Sequence, residues 1–472
     1  MEGLSGIYSS DVAKIATLLR VEANFDVIEK KLDASGQQMT FFYIDGFVKD
    51  GVMQRIMQFL MSEKNVGNAR MIASRLPYVE VDVTTSLENA LAAVMSGQCL
   101  LLASGFSDGA ILIDARTYPA RTTAEPDTDR VMQGARDGFV ETLVMNTALI
   151  RRRIRDTRLT MRHYTIGAVS KTDVVICFMD GVADEKLVSA LDKRLNGIKP
   201  QTLTLGYRSL EESLLRRGWL NPFPKVRTTE RPDTAAAQVL EGSVLVICDT
   251  TPQVMILPTS IFDYLSQADD YYFPPLTGSY LRIVRMAILL LSVIATPLWY
   301  LYLEYAEVLP DALRFMIPDD PGALPIMLQL ILVEIAIDGL KIASMNTPDM
   351  LSNSLSIVGA LILGDFAVAV GWLCPDVILY MAFVAIATFA QQNAELGYAF
   401  KFVRIATLVA VYFIGIWGLV AGMALFALLL LTNKGIVGTS YLYKLIPFKP
   451  KSLFRLIVRA KKNDFNSKGE VV

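Results

Sequence analysis

The chain has 472 residues, a formal net charge of −2, 53% hydrophobic residues and a mean hydropathy of +0.39. The length leaves room for about three domains, and the near-neutral charge argues against a protein that neutralises nucleic-acid phosphates. The apolar excess argues against a wholly soluble protein: residues 1–275 read as a charged globular region, whereas residues 280–432 hold long apolar runs.

The N-terminus, MEGLSGIYSSDVAKIATLLR, has no basic start followed by an apolar core. It therefore reads as no secretory signal, and the soluble half is expected to stay in the cytoplasm. Further on, FFYIDGFVKDG (41–51) is echoed by ICFMDGVADEK (176–186). Each copy is an apolar run, an Asp-Gly pair (Asp45-Gly46, Asp180-Gly181) and an amphipathic stretch, which predicts strand, turn and helix. Asp-Gly is first of all a turn former, so neither Asp reads as an acidic active site.

Downstream, VTTSLENALAAVMSGQCLLLA (83–103) is matched by RTTERPDTAAAQVLEGSVLVIC (227–248), and a second apolar run follows each, at 110–114 and 254–258. An Ala-rich helix running through Gly into a strand fits both. Two related α/β subdomains are predicted, covering about 40–117 and 173–260. The domain layout is then 1–130 for the first subdomain, 131–275 for a connecting helix and the second, 276–432 for an all-α multi-pass membrane domain, and 433–472 for a basic tail.

Catalytic signatures are scarce. The one histidine, His163, sits in RLTMRHYTIG, which reads as a loop, and there is no G-x-x-x-x-G-K-[ST] or strand-linked G-x-G-x-x-G. Four dispersed cysteines suggest buried free thiols rather than a metal site or disulfides. No enzyme, cofactor or metal is expected.

Five apolar segments follow, at about 281–303, 325–345, 354–373, 376–390 and 403–432. Arg282 and Arg285 sit at the start of the first, acidic residues follow it, and the tail is basic, so both ends are expected in the cytoplasm. Two cytoplasmic ends need an even number of crossings, which predicts about four crossings plus one re-entrant or broken segment. The 354–390 region, interrupted at WLCPD (372–376), is the candidate. In its first arm Asn353, Ser356, Ala360, Gly364, Ala367 and Gly371 share one helix face, beside Asp365. Such a stripe either packs helices closely or lines a narrow conduction path. In the second segment Glu334, Asp338 and Lys341 share a face; Asp338 and Lys341 are expected to pair, and Glu334 lies deeper.

Four ordered blocks carry a family resemblance: GARDGFVETLVMNTALIRRRIRD (134–156), NPFPKVRTTERPDTAAAQVLEG (221–242), SLSIVGALILGDFAVAVGW (354–372) and AELGYAFKFVRI (394–405). The chain resembles, over nearly its whole length, the A-subunit family of bacterial spore germination receptors. The stretch from 344 to 391, with the tail YLYKLIPF, is most similar to a branch of that family distinct from the nutrient-receptor subunits.

The resemblance implies a multi-pass protein of the spore inner membrane, in homo-oligomers around a central channel that releases monovalent cations during germination. Its implied partners are membrane lipid and either a small membrane protein or other germination receptor subunits, with no nucleic acid. In the first block Arg151 and Arg155 are one turn apart and are expected to bind Asp137, Glu141 or a neighbouring subunit. In the second, Thr229 is expected to N-cap a helix that has Pro232 in its first turn. The functional expectation is an ion-channel subunit. The alternatives are a non-conducting scaffold and a transporter that uses Glu334 and Asp365 as ion ligands.

Overall fold

The computed structural model describes residues 3–34, 36–63, 66–117, 134–198, 202–215, 220–265, 267, 269–308, 311–347, 359, 361–391, 393–436, 438–443 and 445. Its N-terminal half contains two five-stranded antiparallel sheets. The first is built from β1 (Val27–Ala34), β2 (Gln37–Ile44), β3 (Val81–Thr84), β4 (Cys99–Ala103) and β5 (Ala110–Ile113), in the order β1-β2-β4-β5-β3. The second repeats that order with β6 (Leu159–Ile166), β7 (Thr172–Met179), β8 (Arg227–Thr229), β9 (Val244–Cys248) and β10 (Val254–Leu257). His163 therefore lies within β6 rather than in a loop, with Nε2 2.9 Å from Asp173 on the neighbouring strand.

Helices cover both faces of each sheet. In subdomain 1, α1 (Tyr8–Leu19) lies on the face that α4 (Leu87–Met95) also covers, and the opposite face takes α2 (Asp50–Ser62) and α3 (Ala69–Arg75). Subdomain 2 repeats this with α5 (Leu143–Arg153) and α8 (Pro232–Leu240) on one face and α6 (Glu185–Gly197) and α7 (Tyr207–Leu214) on the other. Successive strand residues enter opposite layers: Leu100 and Leu102 face α4, and Leu101 faces α2 and α3. Each such buried side chain contributes about 1.5–3 kcal/mol, so the central strands stabilise two layers at once and read as unbroken apolar runs.

The duplication starts earlier than the sequence echo. Leu4 N donates to Thr85 O, and Phe139 N to Glu230 O, at 2.8 Å in each case. Ser5 N donates to Asp11 and Val140 N to Asn146, again at 2.8 Å. The Asp-Gly turns close with Gly46 at φ +80° and Gly181 at +74°, conformations that glycine adopts without a Cβ penalty. Hence α5 is no connector; it is the first helix of the second copy. In β8–α8 the N-cap is Arg231 rather than Thr229, whose hydroxyl instead accepts from Arg231 N at 3.1 Å.

The C-terminal part is helical: α9 (Ile261–Leu265), α10 (Asp269–Tyr272), α11 (Pro275–Glu304), α12 (Ile326–Asn346), α13 (Pro375–Phe389), α14 (Ala394–Ile414) and α15 (Ile416–Thr432). Two of these, α11 and α14, are long and apolar enough to cross a membrane. Contacts orient the bundle. Arg282 and Arg285 at the start of α11 bind Asp270, and the last turns of α15 accept from Asn221 of subdomain 2, which defines the near end. Trp299 Nε1 donates to Met316 O, and Ala323 N to Gly371 O, at the far end.

Along the chain α11 runs out and α12 back, the turn at Gly371 lies at the far end, and α13 runs back, α14 out and α15 back. The apolar run 403–432, expected as a single span, is instead a helical hairpin broken at Gly415, whose φ of +55° and ψ of −132° a side chain would disfavour.

Candidate functional site

The densest chemistry in the bundle lies between α12 and α14. On α12, Glu334 and Asp338 are one turn apart; on α14, Lys401 and Arg404 are three residues apart, so each pair shares a face. Arg404 Nη2 donates to Glu334 Oε1 at 2.6 Å, and its Nη1 to Ser292 O of α11 at 3.0 Å. Lys401 Nζ sits 3.2 Å from Glu334 Oε1 and also holds the Asp338 carboxylate. The Arg404 side chain is 3% exposed, those of Glu334 and Lys401 9%, and that of Asp338 33%. Two acids and two bases thus neutralise one another where an uncompensated charge would cost several kcal/mol.

The expected Asp338–Lys341 pair does not form. Lys341 lies over the Tyr398 ring, 4.9 Å from its centroid, as a cation–π contact. Beside the cluster is a cleft of about 20 Å³ bordered by Asp338, Lys341, Thr388 and Tyr398, with room for about one water. Lys401 and Arg404 were not singled out from the sequence. Their signal was two cations three residues apart in an apolar helix, opposite in sign to Glu334 and Asp338.

The broken arm is the second feature. It holds a π-helical turn at Ile362–Phe366, a short helix at Ala367–Ala369 and a turn at Gly371 before Pro375 opens α13. A π turn inserts an extra residue and rotates the following face, so the regular stripe does not run unbroken. Gly364 is half-buried, and a Cβ built on it meets nothing within 4 Å; Asp365 beside it is exposed. Ala367 packs inward against the cluster around Trp299, and Gly371, at φ +74°, makes the far turn. Asn353, Ser356 and Ala360 lie outside the described residues.

The candidate interface residues separate into two groups. Arg151 is fully buried: its guanidinium grips Asp26 through two bonds of 2.9 Å and donates to Leu159 O at 3.1 Å. It ties the two subdomains together and cannot face another subunit. Asp137 is held by Arg153 at 2.6 and 2.7 Å, whereas Glu141 and Arg155 are exposed. All four cysteines are free and buried, and burial pushes the Cys177 and Cys248 thiols up to about 12. Among the described residues, no group of three or more His, Cys, Asp or Glu could hold a metal ion.

A duplicated α/β unit is docked on a helical part in which α11 and α14 are long and apolar enough to cross a membrane. The chain belongs to the GerA family: it matches the family described as Bacillus/Clostridium GerA spore germination protein over residues 14–471. It is 36% identical to Stage V sporulation protein AF of Bacillus subtilis (strain 168), over 93% of this chain and 90% of that protein. It is 29% identical to the uncharacterized membrane protein YfkQ of the same organism (94% and 87% covered) and 27% identical to its Spore germination protein KA (93% and 83%). A crystal structure of the N-terminal domain of the A subunit of the Bacillus megaterium spore germinant receptor GerK3 is 25% identical, with a TM-score of 0.42, and covers 54% of this chain and 96% of that chain. This is a spore germination receptor-family membrane protein.

Proposed function

We propose that this chain is one subunit of an oligomeric ring that passes monovalent cations across the spore inner membrane during germination. Its helical part crosses the membrane several times, and both α/β subdomains and both chain ends lie in the cytoplasm. The observation that carries this reading is Asp365. It is an exposed carboxylate beside an open glycine face, six residues before Gly371 at the far turn.

An acidic side chain facing hydrocarbon costs about 2.5–3.5 kcal/mol. Facing water or a second copy across a central path, it costs little and attracts cations. The arm that bears it, including Asn353, Ser356, Ala360 and Gly364, is then the pore-lining element. Partners in this reading are further copies of the chain, membrane lipid, and a small membrane protein or other germination subunits.

The test is cation flux through the purified full chain in liposomes, alone and with its candidate membrane partner, for wild type and Ala360→Trp. Flux abolished by the substitution at unchanged oligomer size supports the reading. Absence of flux under every condition overturns it in favour of a non-conducting scaffold, which the inward packing of Ala367 also suits.

A further inference from the structure

Helix α14 is held along its first three turns by two different parts of the molecule. Its first turn opens at Asn393, whose side chain accepts from Leu396 N at 2.9 Å, and presents Glu395 to Arg208 of α7 at 2.6 Å. The same guanidinium nitrogen binds Glu211 at 2.7 Å, and Glu211 is 2% exposed, so the grip is anchored in the core of subdomain 2. The next turn extends the hold: Phe400 meets Phe223 edge-on at 5.6 Å, inside a cluster that includes Tyr264 and Tyr441. On another face of the same turns, Lys401 and Arg404 carry the ion pairs to α12.

The remaining ties from subdomain 2 go elsewhere. Asn221 binds the end of α15, Arg194 donates to Ile436 O at 2.8 Å, and Asp270 holds the start of α11. Among the described residues α12 makes no hydrogen bond or ion pair with either subdomain; its buried charges are reached through α14 and α11. A helix moves nearly as a rigid body, and Lys401 lies six residues beyond Glu395, about 9 Å along the axis. A charge-assisted hydrogen bond is lost once donor and acceptor leave a narrow range of distance and angle, so a small shift of α14 breaks the Lys401–Asp338 contact.

The geometry points to α14 as the element through which subdomain 2 sets the state of the buried charge cluster, with Arg208 and Glu395 as its grip. Both are positioning residues. When the grip holds, Lys401 seals the cleft between Asp338 and Tyr398; when it is released, the cleft widens. This rests on the channel reading only for its effect on flux, because the coupling itself has its own readout.

That readout is the labelling rate of a Thr388→Cys reporter by a charged thiol reagent in the full chain in liposomes. The side chain borders the cleft, and the four native thiols are buried. Glu395→Gln and Glu395→Lys leave Arg208 its Glu211 partner and spare α7. Each is expected to raise labelling about tenfold, the size of a typical coupling between contacting residues.

Glu395→Asp, which keeps a carboxylate for Arg208 and leaves Glu211 its partner, is expected to label within about twofold of the reporter alone. Unchanged labelling in both Glu395→Gln and Glu395→Lys, at unchanged melting temperature and oligomer size, overturns the proposal. So does Glu395→Asp labelling as fast as those two variants. Flux is recorded in the same vesicles: labelling that follows the expected pattern without flux in any variant sinks the channel reading and leaves the coupling standing.

Discussion

Arg404 of α14 and Glu334 of α12 form a 2.6 Å ion pair whose cation also donates to Ser292 O of α11, so one side chain joins three apolar helices. Removing the carboxylate alone, as in Glu334→Ala, strands that guanidinium in a 3% exposed position. The expected loss is about 3–5 kcal/mol of stability. Glu334→Leu combined with Arg404→Met removes both charges and leaves Lys401 its Asp338 partner, so it is expected to cost distinctly less. Thermal unfolding of the two variants in one detergent checks this; equal losses would mean that the pair is not coupled.

A knot at the base of the first long helix gives a pH dependence. Asp233 accepts from Arg231 at 2.7 and 3.1 Å and from the Tyr272 hydroxyl at 2.8 Å, and Arg231 also donates to Ala135 O. Burial alone would raise the Asp233 carboxyl, but the hydrogen bonds and charge of Arg231, with Tyr272, outweigh it and hold the carboxyl below the usual range. A depressed carboxyl contributes stability that is fully present above its unfolded value of about 3.9 and is lost as pH falls through the lower native value. Urea unfolding across a pH series from about 3 to 7 should therefore steepen at the acid end. Asp233→Asn should lose about 1–3 kcal/mol at neutral pH and lack that part of the slope.

How much of this was legible follows from what each residue depends on. The duplication was visible because β2, β4, β7 and β9 are buried on both faces and keep apolar runs, and because Asp-Gly turns are written locally. The edge strands were not visible: β1 reads VIEKKLDA, with charges at its centre, and becomes a strand by pairing with β2 along its whole length. Glu334 and Asp338 stood out as charges in an apolar run, but their partners lie more than sixty residues away, a relationship only packing creates. Arg151 read as a partner for Asp137, Glu141 or a neighbouring subunit, whereas Asp26, 125 residues earlier, takes it into the core. The hairpin at 403–432 left a trace in its length: thirty residues at 1.5 Å each give about 45 Å, well beyond an apolar core of about 30 Å.

The hairpin itself makes the last prediction. Gly418 and Gly422 of α15 lie four apart on one face, a spacing that lets two helices approach closely. A Cβ on Gly418 would fall 2.2 Å from Ala410 O of α14, which is backbone and cannot turn aside. One on Gly422 would fall 2.3 Å from the Thr407 hydroxyl, a side chain with other rotamers open to it. Gly418→Ala should therefore cost about 1–3 kcal/mol, and Gly422→Ala less. The difference should also appear at a distance, because forcing α15 away displaces α14, which carries Lys401 and Arg404 to α12. Comparing the melting temperature and the Thr388→Cys labelling rate of both variants separates the two effects. If Gly418→Ala left both unchanged, the close approach of α14 and α15 would not be what holds the cation pair in place.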